Sequence, residues 1–339
     1  MRKPGSICAK DCRKDKAMKR RPFIIDCDTG TDDAIALVAA LGCDEMDIIG
    51  ITSVNGNVSE QFTSHNNLDL MEYFGHDIPI CHGAWLPLLA NPDTAAGTAV
   101  HGARGLGSIT LPEASHSTFD TRIASQFIYE TALEYGSELE ILATGPLTNL
   151  AITYIEHPDI RDHIKHIYFM GGAAIGGNYN TTAEFNIWVD PEASHTVKMS
   201  GIPLTMVGLD VTNLAYMRPE EEQKIRALNT RESELVADLL VYQMNRPGQD
   251  IPYARMHDPL SRAAAMFPQC LKCTQYFVET EYFGRYTRGH TAVDFKDRQK
   301  KEPNVSVALE VDVPLFRQWL YERIAEAGKK GEAIRRNAQ

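Results

Sequence analysis

Residues 23–37 read FIIDCDTGTDDAIAL. An apolar run, Phe23-Ile24-Ile25, leads straight into Asp26, Asp28, Asp32 and Asp33, and a second apolar run follows. The first run has the composition of a buried strand. From Asp32 onward, Ala34, Ile35, Leu37, Val38 and Leu41 fall on the apolar side of a helix that Gly42 stops. The seam between two buried elements therefore carries four carboxylates. Two carboxylates about 5 Å apart repel by roughly 3 kcal/mol at an effective dielectric of ~20. No Lys or Arg lies within the stretch to offset that repulsion. An Asp pair in the first turn of a helix complements the helix dipole, which accounts for Asp32 and Asp33 but not for all four. Hard carboxylate oxygens combined with backbone carbonyls suit Ca²⁺ or Mg²⁺. Asp28 and Asp33 straddle a glycine turn and can face one ion, and Asp258, between a His and a Pro far along the chain, is a candidate third carboxylate.

Outward from this stretch, short β-rich runs alternate with amphipathic helices. DIIGITSV at 47–54, DIPICHG at 77–83, LEILATGP at 139–146, HIYFMGG at 166–172 and IPLTMVGLD at 202–210 read as strands. Ser59 reads as the cap of a helix running to Gly75, and Asp120 or Thr121 as the cap of one running through Tyr135. Asp190 with Pro191 starts another. This alternation predicts an α/β fold, a single domain with a mostly parallel open sheet flanked by helices. In such folds ligands bind beyond the carboxyl ends of the strands. Those ends lead into Asp28–Asp33, Asn55-Gly56-Asn57, Thr144-Gly145-Pro146, Gly171-Gly172 and Asp210, so polar and glycine residues gather at one edge. Beyond residue 218 the pattern predicts helices at 218–228 and 232–245. A Pro- and Gly-rich loop then delivers His257-Asp258 to the start of another helix. Further β-rich runs follow at 275–283, 291–295 and 304–311, and a last helix at 314–326.

The chain has 339 residues, 43% of them hydrophobic and 23% charged, in the ordinary range for a globular protein with a full core. Its net charge of −11 argues against a general nucleic-acid binder. No apolar run reaches the ~20 residues that span a bilayer. Residues 1–21 carry nine Lys or Arg against two Asp and contain no apolar core of a secretory signal. They read as a disordered basic extension preceding a catalytic domain at 22–330. Seven cysteines, an odd number and several of them inside predicted elements, suit reduced thiols in a cytoplasm. A zinc site from Cys8, Cys12, Cys270 and Cys273 is the competing reading of the CxxC spacing.

The stretch DCDTGTDDAIAL resembles the DxDxxxDD signature of the nucleoside hydrolases, the inosine–uridine-preferring nucleoside N-ribohydrolases. SVNGN at 53–57, VHGARGLG at 100–107, ATGPLTNLA at 143–151, FMGGA at 169–173, GNYNTTAEFNIWVDPEA at 177–193, HDPL at 257–260 and YTRGHTAVD at 286–294 follow in the family's order. The resemblance covers roughly residues 22–327. It implies hydrolysis of the N-glycosidic bond of ribonucleosides to base and ribose. A Ca²⁺ would be held by Asp28, Asp33, Asp258 and the backbone carbonyl of Thr144, with Asp28 as general base on a water bound to that ion. It implies ribose contacts from Asp32, Asn57, Asn178, Glu184 and Asn186, with Met170 lining the sugar. His257 would be the proton donor to the leaving base, and His101 would lie near the base pocket with no assigned role. His rather than Trp before Asp258 favours the inosine–uridine or pyrimidine branch. The resemblance also implies a cytoplasmic homodimer or homotetramer working in purine or pyrimidine salvage, with neither nucleic acid nor membrane as partner.

Two other readings compete. The DxDxT motif of haloacid-dehalogenase-like phosphatases needs threonine where this chain has Gly30, so the register is wrong. A non-catalytic nucleoside- or sugar-binding protein on the same scaffold would not need Asp28, Asp33 and Asp258 together.

Overall fold

The computed structural model describes residues 19–89, 97–246 and 252–337. Its centre is an eight-stranded sheet. Six strands come in chain order: β1 (Arg21–Cys27), β2 (Met46–Ser53), β3 (Ile80–Cys81), β4 (Glu140–Ala143), β5 (His166–Met170) and β6 (Leu204–Val207). They lie in the spatial order β3-β2-β1-β4-β5-β6, all parallel, and the sheet continues through Val305–Val311 to an antiparallel edge strand, Leu271–Tyr276. After Arg21, β1 is buried along its whole length, as expected of a strand covered by helices on both faces. The chain leaves β1 toward β2 on one side and later returns to place β4 on the other. That reversal of strand order opens a crevice at the carboxyl ends of β1 and β4, the point where the aspartate stretch begins.

The helix Thr31–Leu41 follows β1 after three residues, and all eleven of its residues are buried. It lies against the helices Arg231–Asn245, His257–Met266 and Val313–Asn337. A helix covered on every side has no solvated flank, which explains why its apolar residues run on without a polar face. Its two acidic residues sit in the first turn, at the crevice. The α/β class, the parallel-dominated sheet and its six parallel strands in chain order agree with the sequence reading, whereas the run read at 275–283 splits between the edge strand Leu271–Tyr276 and a short strand, Val278–Thr280, paired with Thr291–Val293.

Three local expectations shift. The helix read from Asp120 or Thr121 begins at Ala124, because the Asp120 carboxylate accepts instead from the backbone and guanidinium of Arg122. Ser59 occupies the capping position of Glu60–Phe74 but makes no side-chain capping bond. The last helix runs past 326 to Asn337, since Ala327, Gly328 and Gly331 are buried and small enough to keep it against the body. Lys19, Arg20 and Arg21 pair with Glu138, Asp47 and Glu140, and Cys270 and Cys273 are free thiols. Cys8 and Cys12, the other half of the proposed zinc site, lie outside the described residues, as does most of the basic segment.

Asp190 shows how the fold uses a buried carboxylate purely for structure. It caps Pro191–Lys198 by accepting from the Ala193 backbone at 3.0 Å. Its second oxygen accepts from the Leu88 backbone at 2.8 Å and the Thr148 hydroxyl at 2.7 Å. Asp190→Ala would leave three donors without this acceptor. It is expected to destabilise the protein by about 2–4 kcal/mol in urea unfolding.

Candidate active site

At the end of β1 the chain turns through Gly30 into the Thr31–Leu41 helix. A Cβ on Gly30 would collide with His101 and with Asn57, and one on Gly56 would strike the Asp28 carboxylate. These two glycines let the β1 and β2 turns close on each other. The closure is held by hydrogen bonds. Asp28 Oδ2 accepts from the Asn57 backbone at 2.8 Å. Asp33 Oδ2 accepts from the Gly30 backbone and from Asn57 Nδ2, both at 3.0 Å, and its Oδ1 accepts from the Thr144 hydroxyl at 2.7 Å. Residues from the ends of β1, β2 and β4 are thereby locked to one another.

Asp258 arrives from far along the chain. The short antiparallel pair Tyr216–Met217 and Ala254–Arg255 aims the segment, and Asp258 sits in the first turn of His257–Met266. Asp32, Asp33 and Asp258 each bring a carboxylate oxygen within 4.8 Å of the others. Asp28 is outside that tightest group. Its Oδ1 is buried with no hydrogen-bond partner among the described residues. All four are buried, and all four are pushed above the usual carboxylate range. Loss of hydration is the main cause for each. Repulsion from the neighbouring carboxylates adds to it for Asp28, Asp32 and Asp258, and Asp32 reaches about 7. Crowded hard oxygens, one of them an orphan, are the donor set that a divalent cation fits.

The crevice widens into a cavity of about 300 Å³. Asp32, Asn57, His101, Thr144, Met170, Asn178, Glu184, Asn186, His257 and Asp258 all line it, so the structure brings together nearly every residue singled out from sequence. Glu184 caps Phe185–Val189, accepting from the backbones of Asn186, Ile187 and Gly172. Asn186 donates to the Thr144 carbonyl at 2.7 Å and the Met170 carbonyl at 3.2 Å. The Asn178 side-chain oxygen accepts from the Phe185 backbone at 2.9 Å. His101 Nδ1 accepts from the Thr31 backbone at 3.1 Å, which places its ring proton on Nε2. Burial pushes His101 down to about 3. His257 Nδ1 lies 2.8 Å from the Thr212 hydroxyl, leaving Nε2 as the ring nitrogen available to a ligand. Burial, with repulsion from Arg255 and Arg246, also pushes His257 down to about 3.

Sequence reasoning did not assign Gln243, Arg246, Arg255 or Asn213, which line the same cavity. Gln243 donates to the Thr31 hydroxyl at 3.0 Å, tying the end of Arg231–Asn245 to the aspartate helix. Gln243 is in the last turn of Arg231–Asn245 and Arg246 directly follows that helix, while Arg255 ends a two-residue strand just before the helix that begins at His257. Two nearby aromatic residues, Tyr242 and Tyr253, do not line the cavity. Tyr242 lies against Gly107, and Tyr253 stacks on Tyr216 with centroids 4.8 Å apart.

Comparison with known proteins agrees with this geometry. Residues 23–318 match the family described as inosine-uridine preferring nucleoside hydrolase. The pyrimidine-specific ribonucleoside hydrolase RihA of Citrobacter koseri is 38% identical over 308 residues, covering 90% of this chain and 98% of that protein. Among solved structures, a purine-preferring ribonucleoside hydrolase from Gardnerella vaginalis superimposes with a TM-score of 0.86 at 32% identity, covering 91% of this chain and all of that one. A plant nucleoside hydrolase, PpNRh1, superimposes at 0.85 with 29% identity, over 90% of this chain and 99% of its own. This chain belongs to the inosine-uridine preferring nucleoside hydrolase family. It is a glycosyl hydrolase of the N-glycosidic bond of ribonucleosides. Among the described residues no helix is long and apolar enough to cross a membrane.

The raised carboxylates set a pH dependence. A folded state whose carboxylates hold protons above their unfolded pKa binds more protons than the unfolded chain, so stability falls as pH rises between the two values. Above about pH 7, where His101 and His257 are neutral in the folded and the unfolded chain alike, the chelated protein is therefore expected to melt at lower temperature at pH 8 than at pH 7. Added Ca²⁺ should remove that slope. Melting curves across pH, with and without Ca²⁺, test this. A chelated protein that gains stability from pH 7 to pH 8 would contradict the raised aspartates.

Proposed function

We propose that this protein hydrolyses pyrimidine ribonucleosides with Ca²⁺ bound at Asp28, Asp33, Asp258 and the Thr144 carbonyl. The observation that supports the reading is the gathering of carboxylates from distant parts of the chain: Asp33 and Asp258, with Asp32, bring oxygens within 4.8 Å of one another, Asn57 bonds both Asp28 and Asp33, and Thr144 and Asp258 line a cavity of about 300 Å³. Ca²⁺ bound there would supply the positive charge that acidifies the attacking water. Asp28 then takes the proton as the water oxygen bonds to C1′ and the C1′–N bond breaks. Asp32, Asn57, Asn178, Glu184 and Asn186 hold the ribose hydroxyls, and Met170 lies along the sugar. Their oxygens stabilise the positive charge that develops on the ring.

His257 gives its proton to the departing base. Its low value belongs to the ligand-free site, where Arg246 and Arg255 oppose an imidazolium. A base gaining negative charge beside the ring reverses that balance, and the same arginines draw electrons toward the base. His101 faces the cavity as a neutral ring whose Nε2–H serves as a donor. Preference for pyrimidines is supported by the identity to RihA and by His at 257. Assembly as a homodimer or homotetramer, a cytoplasmic role in nucleoside salvage, and a basic N-terminal extension separate from a catalytic domain at 22–330 complete the proposal.

A nucleoside panel tests the substrate side. Uridine or cytidine is expected to give the highest kcat/KM. A site built to bond hydroxyls should reject 2′-deoxyuridine by a factor on the order of 10⁴. Comparable values for uridine and deoxyuridine would remove the ribose assignments.

The catalytic roles separate by leaving group. His257→Ala should lose about 10²–10⁴-fold in kcat on uridine. It should keep most activity on p-nitrophenyl riboside, whose leaving group needs no proton. Asp28→Asn should lose activity on both, since water activation serves every substrate. Equal losses for His257→Ala on the two substrates would show that His257 shapes the site without donating a proton.

A further inference from the structure

Arg262 is the largest side chain in the fully buried interior, at 0% exposure. None of its three guanidinium nitrogens has a hydrogen-bond partner among the described residues. An isolated buried cation costs several kcal/mol unless opposite charge lies near, so its position needs a reason. Arg262 stands four residues after Asp258 on the same face of the helix His257–Met266. The carboxylates that act on it most are Asp258 and Asp33, while the Cys27 and Cys43 thiols near it are held protonated by burial. Its charge acts in return on Asp33. The guanidinium is thus buried in the core near Asp258 and Asp33 and does not line the cavity.

We propose that Arg262 is the protein's own counter-charge to the aspartate site: it keeps Asp33 and Asp258 tolerable when no cation is bound, and it limits how tightly a cation binds. This rests on the cation reading above. The reasoning is electrostatic. A positive charge near the carboxylates offsets part of their mutual repulsion, which stabilises the metal-free fold. The same charge repels an incoming divalent ion, which weakens its binding. Removing it should therefore move two observables in opposite directions. A residue that only fills space would lower metal-free and metal-loaded stability together and leave cation affinity unchanged or poorer.

The test uses the full chain with Arg262→Met, which keeps length and apolar bulk, and Arg262→Lys, which keeps charge. Calcium alone is titrated calorimetrically into chelated protein, and melting temperatures are taken with and without it. For Arg262→Met the metal-free melting temperature should fall by about 5 °C or more. Calcium affinity should rise about tenfold or more. Arg262→Lys should stay near wild type in both. Unchanged or weaker calcium binding by Arg262→Met overturns the proposal, as does a Lys variant that behaves like the Met variant. If Arg262→Met does not fold unaided, Arg262→Met with Asp258→Asn, which removes one charge of each sign, should fold. A double variant that also fails to fold overturns the counter-charge role. Wild-type protein that takes up no calcium would instead refute the cation reading itself.

Discussion

Four buried carboxylates cannot all carry charge in a dry interior without something positive beside them. That constraint organises the molecule. Asp28, Asp32, Asp33 and Asp258 are lifted above the usual carboxylate range by burial and, for most of them, by one another. A folded chain that keeps such a cluster holds back stability for a ligand able to neutralise it. The sheet supplies the rigidity this needs. The turns after β1, β2 and β4 are bonded to each other through Asp33, Asn57 and Thr144, so the carboxylates cannot relax apart.

The cavity is electrically polarised as a result. One wall is acidic, at the ends of β1 and β4. The same cavity is lined by Arg246, Arg255 and His257, with both histidines of the cavity held neutral by burial. A ribonucleoside fits that gradient. In the proposed reading the sugar, which turns positive as the glycosidic bond breaks, would face carboxylates, and the base, which turns negative, would face cationic and donor groups. Electrostatic preorganisation of this kind does not have to be assembled at the moment of reaction.

Much of this was legible in the chain. Alternation of strand and helix predicted the parallel sheet, and the positions after the strand ends predicted the edge where the site lies. Asp28 through Asp33 stood out because no local counter-charge accompanies them. The resemblance to the nucleoside hydrolases brought in Glu184, Asn186, Asn178, Met170 and Asn57, all but one of them more than a hundred residues from that cluster. Other features were not legible for stated reasons. Asp120 looked like a cap but is taken by Arg122, and a two-residue competition of that kind has no periodic signature. Gln243, Arg246 and Arg255 stand at the ends of a helix and a short strand, and nothing local says that those ends meet the same cavity.

By itself the sequence determined the identity of the chemistry: which oxygens are present, that they cluster after a buried strand, and that a strand–helix alternation carries them to one sheet edge. Local pattern suffices there because backbone periodicity and turn residues act over a few positions. Tertiary structure alone decided how charge is shared. Arg262 is some 230 residues from Asp33 in the chain, and it becomes its neighbour only because the Thr31–Leu41 and His257–Met266 helices pack together beneath the site. Coulomb interaction depends on distance through space and on burial, and neither quantity is written along the chain.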